Sequence, residues 1–216
     1  MRVLNVPRYR VPVRALAEAR RVLAAGGVVA FPTETSYGLA ADPRNARAVA
    51  RVYAIKDRPR SKPLPLVAAS VAAVARVLTL AGAAAGIARK HWPGALTIIL
   101  PLKRAARVGK RRLHGLSGKR DAAVRVPRSA WARAVADAAG GVVTSTSANL
   151  SGDAAIYAPR DIISAFASRP ASKRPDLLLS AGTLKKRPPS TIIRMRRDTV
   201  EVIRQGSVRV RGAKNI

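Results

Sequence analysis

Short β-branched apolar runs alternate along the chain with Ala-rich stretches whose apolar positions recur every three or four residues. That is the pattern of strands interleaved with helices in an α/β domain. Leu16, Ala19 and Leu23 share one helical face, and Gly26-Gly27 predicts the end of that helix, because glycine enters the left-handed C-cap conformation at little cost. The run 28–31 then reads as a strand. Asp42-Pro43 reads as an N-cap with proline at the first helical position, opening a helix whose Val49, Val52 and Tyr53 face one way. Further strands are expected at 64–68, 96–100, 122–126, 142–145, 177–179, 191–195 and 200–204, and further helices at 71–80, 83–90, 130–139 and 160–167.

Three polar segments interrupt this rhythm beside apolar strands: PTETSYGL after Phe31, STSANLSG after Val143-Thr144, and PPST before Ile192-Ile193. Ser and Thr hydroxyls, with backbone N–H groups freed at strand ends, bind phosphate or carboxylate oxygens with little desolvation cost, and open α/β sheets place ligands at such ends. A single Ser/Thr run is also an ordinary turn or cap. In KDRPRSKPL the cations Lys56, Arg58, Arg60 and Lys62 recur at every second position, a spacing that on an extended stretch aims all four to one side and suits a triphosphate. At a helix end the same cations complement the dipole. Glu34 is a candidate general base or a carboxylate that caps backbone.

Composition sharpens the picture. A chain of 216 residues suits one domain spanning 1–216, with hydrophobic residues at 48% but aromatics at only 4%, so the core is built from Ala, Val, Leu and Ile. Forty-one Lys and Arg against eleven Asp and Glu give +30, a field that attracts phosphate-bearing partners, nucleotide or RNA. The segment 103–120 alone carries eight basic residues, three glycines and no acid, and is expected to be a mobile surface loop.

Several classes are excluded. With no cysteine there are no disulfides, thiolate zinc sites or cysteine nucleophiles, and two histidines argue against a His-rich metal site. No uncharged run reaches membrane-spanning length, and the N-terminus lacks a signal peptide's design, so a cytoplasmic protein is expected. There is neither a P-loop nor a G-x-G-x-x-G fingerprint, and no H-E-x-x-H or hydrolase triad. His91-Trp92-Pro93-Gly94 reads as a turn, with Trp92 in the core.

Taken in order, FPTETSYGL, Lys56-x-Arg58-Pro with KPL behind it, WPGALTIIL, VRVP, STSANLSG and PSTII resemble the threonylcarbamoyl-AMP synthase family and its YrdC-like domain, over about residues 10 to 206. The resemblance implies a single-domain, twisted open mixed α/β sheet with flanking helices around a basic cleft. It implies an enzyme that makes threonylcarbamoyl-AMP and pyrophosphate from L-threonine, bicarbonate and ATP, with Mg2+ carried on the triphosphate and no protein metal site. A tRNA threonylcarbamoyl-transfer complex would then take up the product. By position, Thr33, Arg125 and Thr191 would contact threonine; Lys56, Arg58, Ser145, Ser147, Asn149, Ser190 and Arg204 would contact ATP, with Lys56, Arg58, Ser147 and Asn149 carrying the chemistry.

The chain departs from the family at Ser180-Ala181-Gly182, where Asp-Gly-Gly is usual, and at Leu66-Val67-Ala68, where longer members carry a histidine. With ten residues after Gly206 it resembles the short, single-domain type. The competing reading is a basic RNA-binding or ribosome-maturation protein, double-stranded RNA included, with a degenerate nucleotide site. Its weakness is the shortage of aromatic stacking platforms.

Overall fold

The structure is a computed structural model, describing residues 1–103, 107–108, 111–114, 120–196 and 199–215. Its strands are β1 (Arg2–Asn5), β2 (Val29–Pro32), β3 (Tyr37–Ala41), β4 (Leu66–Ala68), β5 (Leu96–Pro101), β6 (Arg107–Val108), β7 (Arg111–Arg112), β8 (Asp121–Arg125), β9 (Val142–Ser147), β10 (Leu177–Ser180), β11 (Thr191–Arg196), β12 (Thr199–Arg204) and β13 (Ala213–Asn215). The helices are α1 (Val13–Ala24), α2 (Ala46–Lys56), α3 (Val71–Val77), α4 (Gly82–His91), α5 (Ala130–Ala138) and α6 (Pro159–Ala167). Eleven strands form one mixed sheet in the order β1-β10-β2-β3-β9-β4-β8-β5-β11-β12-β13, and β6 pairs with β7 apart from it. Most of the 103–120 segment lies outside the described residues.

Because side chains alternate across a strand, each strand contributes to both faces of the sheet. On one face Leu66, Val124, Ile98 and Ile193 pack under α3 and α4. Ala30, Leu39 and Leu178 continue that face under α2 and α6. On the opposite face Val29, Phe31, Ala40, Val67 and Val143 are covered by α1 and α5, with Trp131 of α5 fully buried among them. Trp131 also satisfies its indole N–H on the Pro7 carbonyl at 2.8 Å. Among the described residues no helix covers this second face beyond β4, and Thr97 and Ile99 of β5, Ala123 and Arg125 of β8, and Ile192 and Arg194 of β11 line a cleft there.

The helix ends follow local chemistry. At the end of α1 the Gly26 and Gly27 N–H groups return to Leu23 and Val22 carbonyls at 3.0 and 2.8 Å, with Gly26 at φ 79°. The expected start of α2 is corrected: Asn45, not Asp42, is its N-cap, accepting from Arg47 and Ala48 N–H. Asp42 instead takes the Arg44 N–H and guanidinium, closing the preceding turn. At the other end of α2, Asp57 sits in the left-handed region at φ 49°. Arg169 at 2.8 Å and Lys173 at 3.1 Å grip its carboxylate. Trp92 is a core residue, donating to the Leu96 carbonyl at 2.7 Å.

Candidate active site

The uncovered sheet face and the loops around it form a cleft of about 680 Å3. Sequence reasoning expected a crevice at strand ends; the structure adds the strand faces themselves as its floor. Arg58, Arg125, Arg187, Arg194 and Arg204 line it against Asp121 and Asp153, five cations to two anions. Burial lowers the pKa of Arg204, and the charge of Arg125 adds to that, so the two guanidinium groups share one field. An anion between them would relieve the repulsion.

The opening loop resolves into a turn and a strand. Thr33 Oγ1 donates to the Ser36 carbonyl at 2.6 Å and accepts from the N–H groups of Thr35 and Ser36 at 3.1 and 3.2 Å. This hydroxyl-centred turn carries the chain from β2 into β3. Thr33 lines the cleft, but its hydroxyl proton is committed to the turn; Thr35, which sequence reasoning passed over, lies 3.0 Å from it and accepts from Arg125 Nη1 at 3.4 Å. Gly38 follows because a Cβ there would press on the Phe31 ring at 3.2 Å.

Arg125 ends β8 and is 8% exposed. Burial depresses its pKa, while the nearby Glu34 carboxylate, 3.3 Å from Nη1, acts in the opposite direction. The second Glu34 oxygen accepts from the Ser129 N–H at 3.2 Å, so the backbone-capping role weighed for Glu34 is present.

Two expectations need correction. Lys56 does not face solvent with Arg58, Arg60 and Lys62, because the chain turns at Asp57 instead of running extended. Lys56 is 2% exposed and its Nζ donates to the carbonyls of Ser147 at 2.6 Å and Asn149 at 2.5 Å, behind the cleft wall. Burial pushes its pKa down to about 8. Thr191, for its part, is fully buried: Oγ1 donates to Val208 O at 2.6 Å and accepts from the Gly206 and Val208 N–H groups, both at 3.0 Å. It ties the C-terminal segment to β11 and does not line the cleft.

The other expected residues come together. Arg58 lines the cleft, held by its own loop through the Lys62 and Pro63 carbonyls at 3.1 and 3.0 Å. Ser145, Ser147 and Asn149 line the adjoining wall, with Asn149 Nδ2 donating to Leu150 O and Asp153 O at 2.8 and 2.6 Å. Across the cleft Ser190 Oγ lies 2.9 Å from Thr97 Oγ1 and accepts from Arg204 Nη2 at 3.1 Å. Gly206 is obligatory beside them, since a Cβ would collide with the Pro189 carbonyl oxygen.

The unusual Ser180-Ala181-Gly182 lies behind this site. Tyr37 Oη accepts from Ala181 N–H at 2.9 Å and donates to Gly182 O at 2.8 Å, and Gly182 keeps the positive φ of 74° that the turn requires. None of the three lines the cleft. Thr97, Arg187 and Arg194 were missed; Thr97 and Arg194 had a signal, as polar residues at alternate positions of apolar strands. Among the described residues no group of three or more His, Asp or Glu is placed to hold a metal ion, and no helix is long and apolar enough to cross a membrane.

Comparison with known proteins agrees with this architecture. The profile of the Sua5_yciO_yrdC family, described as telomere recombination, matches residues 21–206. A threonylcarbamoyl-AMP synthase of Chromobacterium violaceum is 38% identical over 190 residues, 87% of this chain and 92% of that protein. One from Halorhodospira halophila is 44% identical over 137 residues, 62% of this chain. P. abyssi Sua5 in complex with L-threonine superposes with a TM-score of 0.82 at 26% identity over 95% of this chain, and E. coli YciO with 0.83 at 23% identity over 98% of both chains. The matched region spans 66% of the Halorhodospira protein and 58% of the P. abyssi chain. The chain thus belongs to the Sua5/YciO/YrdC family, the threonylcarbamoyl-AMP synthase family that its motifs resemble.

Proposed function

We propose that this protein is an L-threonylcarbamoyladenylate synthase, forming threonylcarbamoyl-AMP and pyrophosphate from L-threonine, bicarbonate and ATP for threonylcarbamoyladenosine modification of tRNA. The observation that carries this reading is one cleft lined by Arg125 beside Thr35, by Arg204, which feels the charge of Arg125, and by Arg58 on the loop after α2. P. abyssi Sua5, which shares the fold, is in complex with L-threonine.

In this reading the threonine carboxylate meets Arg125, whose planar guanidinium suits it. The triphosphate meets Arg58, and Ser190 with Arg204 faces the adenylate. Ser145, Ser147 and Asn149 line the path between them. The threonine amine forms a bond to the carbon of bicarbonate, water leaves, and a carbamate results. A carbamate oxygen then attacks the α-phosphate in line while the bond to pyrophosphate breaks. Both reactants are anions, so catalysis lies in positioning them and offsetting their charge, which the excess of arginines supplies. Mg2+ enters as part of the ATP substrate.

A product of this kind is consumed by a tRNA-modifying complex, and the +30 charge favours transient contact with tRNA through its phosphates. A degenerate site in a mere RNA binder is less favoured, because the altered Ser180-Ala181 lies outside the cleft lining. The test is pyrophosphate release by the purified protein with ATP and bicarbonate, with and without L-threonine, L-serine serving as control. Release that requires both threonine and bicarbonate is expected; release indifferent to threonine, or none from folded protein, would overturn the proposal.

A further inference from the structure

We propose that Glu34 is a positioning residue, holding the Arg125 guanidinium in the orientation from which it meets the carboxylate of the amino-acid substrate. The inference rests on the reading of Arg125 given above. Glu34 does not line the cleft, whereas its neighbours Thr33 and Thr35 and its partner Arg125 all do. Its carboxylate is divided between two tasks. Oε2 accepts from the N–H of Ser129, the residue that caps α5. Oε1 is buried, makes no hydrogen bond, and stands 3.3 Å from Arg125 Nη1.

A carboxylate oxygen sealed from water without a hydrogen bond is costly unless a facing charge compensates it. Arg125 is that charge, itself 8% exposed and lacking any other acidic partner among the described ion pairs. A guanidinium carries five N–H donors in one plane, so fixing one nitrogen against Glu34 and Thr35 fixes the direction of the others. The turn centred on Thr33 Oγ1 locks the backbone on either side of Glu34. Ser129 Oγ closes the frame from α5 by donating to Pro32 O at 3.0 Å. The loop that opens the cleft therefore serves it twice, through Thr35 directly and through Glu34 from behind.

Glu34→Gln separates positioning from capping, since the amide oxygen can still accept from Ser129 N–H while the charge facing Arg125 is gone. In the full-length protein we expect the KM for L-threonine to rise about tenfold, with kcat and the KM for ATP little changed. Glu34→Ala, losing both bonds, should also lower the Tm. Calorimetry of L-threonine binding without ATP should show the same loss. A substrate-independent readout is the 15N–1H spectrum of arginine Nε–H groups. The resonance that disappears in Arg125→Lys belongs to Arg125; it should be protected in the parent protein and exchange-broadened in Glu34→Gln. An unchanged resonance with unchanged threonine affinity in Glu34→Gln overturns the inference. A broadened resonance in a protein that binds no threonine upholds the Glu34–Arg125 coupling and removes the substrate assignment instead.

Discussion

The ammonium of Lys56 donates to the carbonyl oxygen of Ser147 at 2.6 Å, from the last turn of α2 to the last residue of β9. With the Asn149 carbonyl at 2.5 Å, and the Ser151 N–H returned to the Lys56 carbonyl at 2.8 Å, it braces the whole STSAN loop from behind. Lys56 thus shapes the wall on which Ser147 and Asn149 stand.

Lys56→Met keeps the length of the side chain and removes the brace. Pyrophosphate release should fall about a hundredfold, because misplacing positioning groups by an ångström costs that much. Stability carries a sign that identifies the cause. With a folded pKa near 8 against an ordinary 10.5, the unfolded chain binds more protons between those values, so the lysine's contribution makes the parent protein more stable as pH rises through that window. Methionine removes that slope. Urea unfolding at two pH values inside the window should show the deficit of Lys56→Met growing with pH, by up to about 3 kcal/mol across it. A constant deficit would mean that Lys56 titrates normally.

Arg58 is the cation of KDRPRSKPL that lines the cleft. Its Nε and Nη2 are spent on the Lys62 and Pro63 carbonyls, which leaves a fixed guanidinium beside Ser61 at the rim. Arg58→Ala should raise the KM for ATP at least tenfold and leave the KM for threonine nearly unchanged, the loss of a charge-assisted contact being about 1.5–3 kcal/mol. Arg58→Lys should recover little, because a lysine cannot hold both carbonyls and still present a planar face. Equal rises in both KM values would place Arg58 in the loop's architecture instead of the nucleotide site.

Much of this was legible in the sequence, because two-residue and three-to-four-residue periods survive folding wherever one face of an element is buried. WPGALTIIL and AAVRV show it: Ile98 and Val124 go to the core, while Thr97 and Arg125 go to the cleft. The exceptions have physical reasons. Every residue of β3 is buried, on both faces, so Tyr37 to Ala41 carries no alternation to read. Asp42 and Asn45 are both capping residues three positions apart, and only packing selects between them. The four cations from Lys56 to Lys62 align only if the chain is extended; the left-handed Asp57 breaks the register and turns Lys56 inward. The PST motif hides a similar division, with Ser190 facing the cleft and Thr191 facing away.

Thr191→Val tests that division. The buried hydroxyl serves one acceptor and two donors, Val208 O and the N–H groups of Gly206 and Val208, which lie part-buried beside β11. Valine matches its shape but takes the acceptor from the Gly206 and Val208 N–H groups, while Val208 O keeps Gln205 Nε2 at 3.0 Å, so the cost is about 1–3 kcal/mol. Chemical denaturation should report that loss, and Tm should drop by several degrees. At a temperature where the variant is folded, the KM for L-threonine should match that of the parent protein. A selective rise in that KM without loss of stability would instead make Thr191 a substrate ligand.

Asp57 offers a prediction at acid pH. Hydrogen bonds from Arg169 and then Lys173 hold its carboxyl down to about 2, against an ordinary 3.8. A depressed carboxyl contributes stability that is complete above the unfolded value and lost as pH falls through the folded one, here between about 4 and 2. Asp57→Asn isolates this charge, because asparagine also tolerates the left-handed backbone at φ 49°. The side chain is half exposed, so the effect should be small at neutral pH and screened by salt. Acid titration of unfolding should show the parent protein losing its advantage over Asp57→Asn across that window. Because Asp57 anchors the end of α2, the variant should also show a modestly higher KM for ATP through Arg58. Coincident acid-unfolding curves for the two proteins would remove the Arg169–Asp57–Lys173 clamp from the account of how the Lys56–Arg58 segment is held.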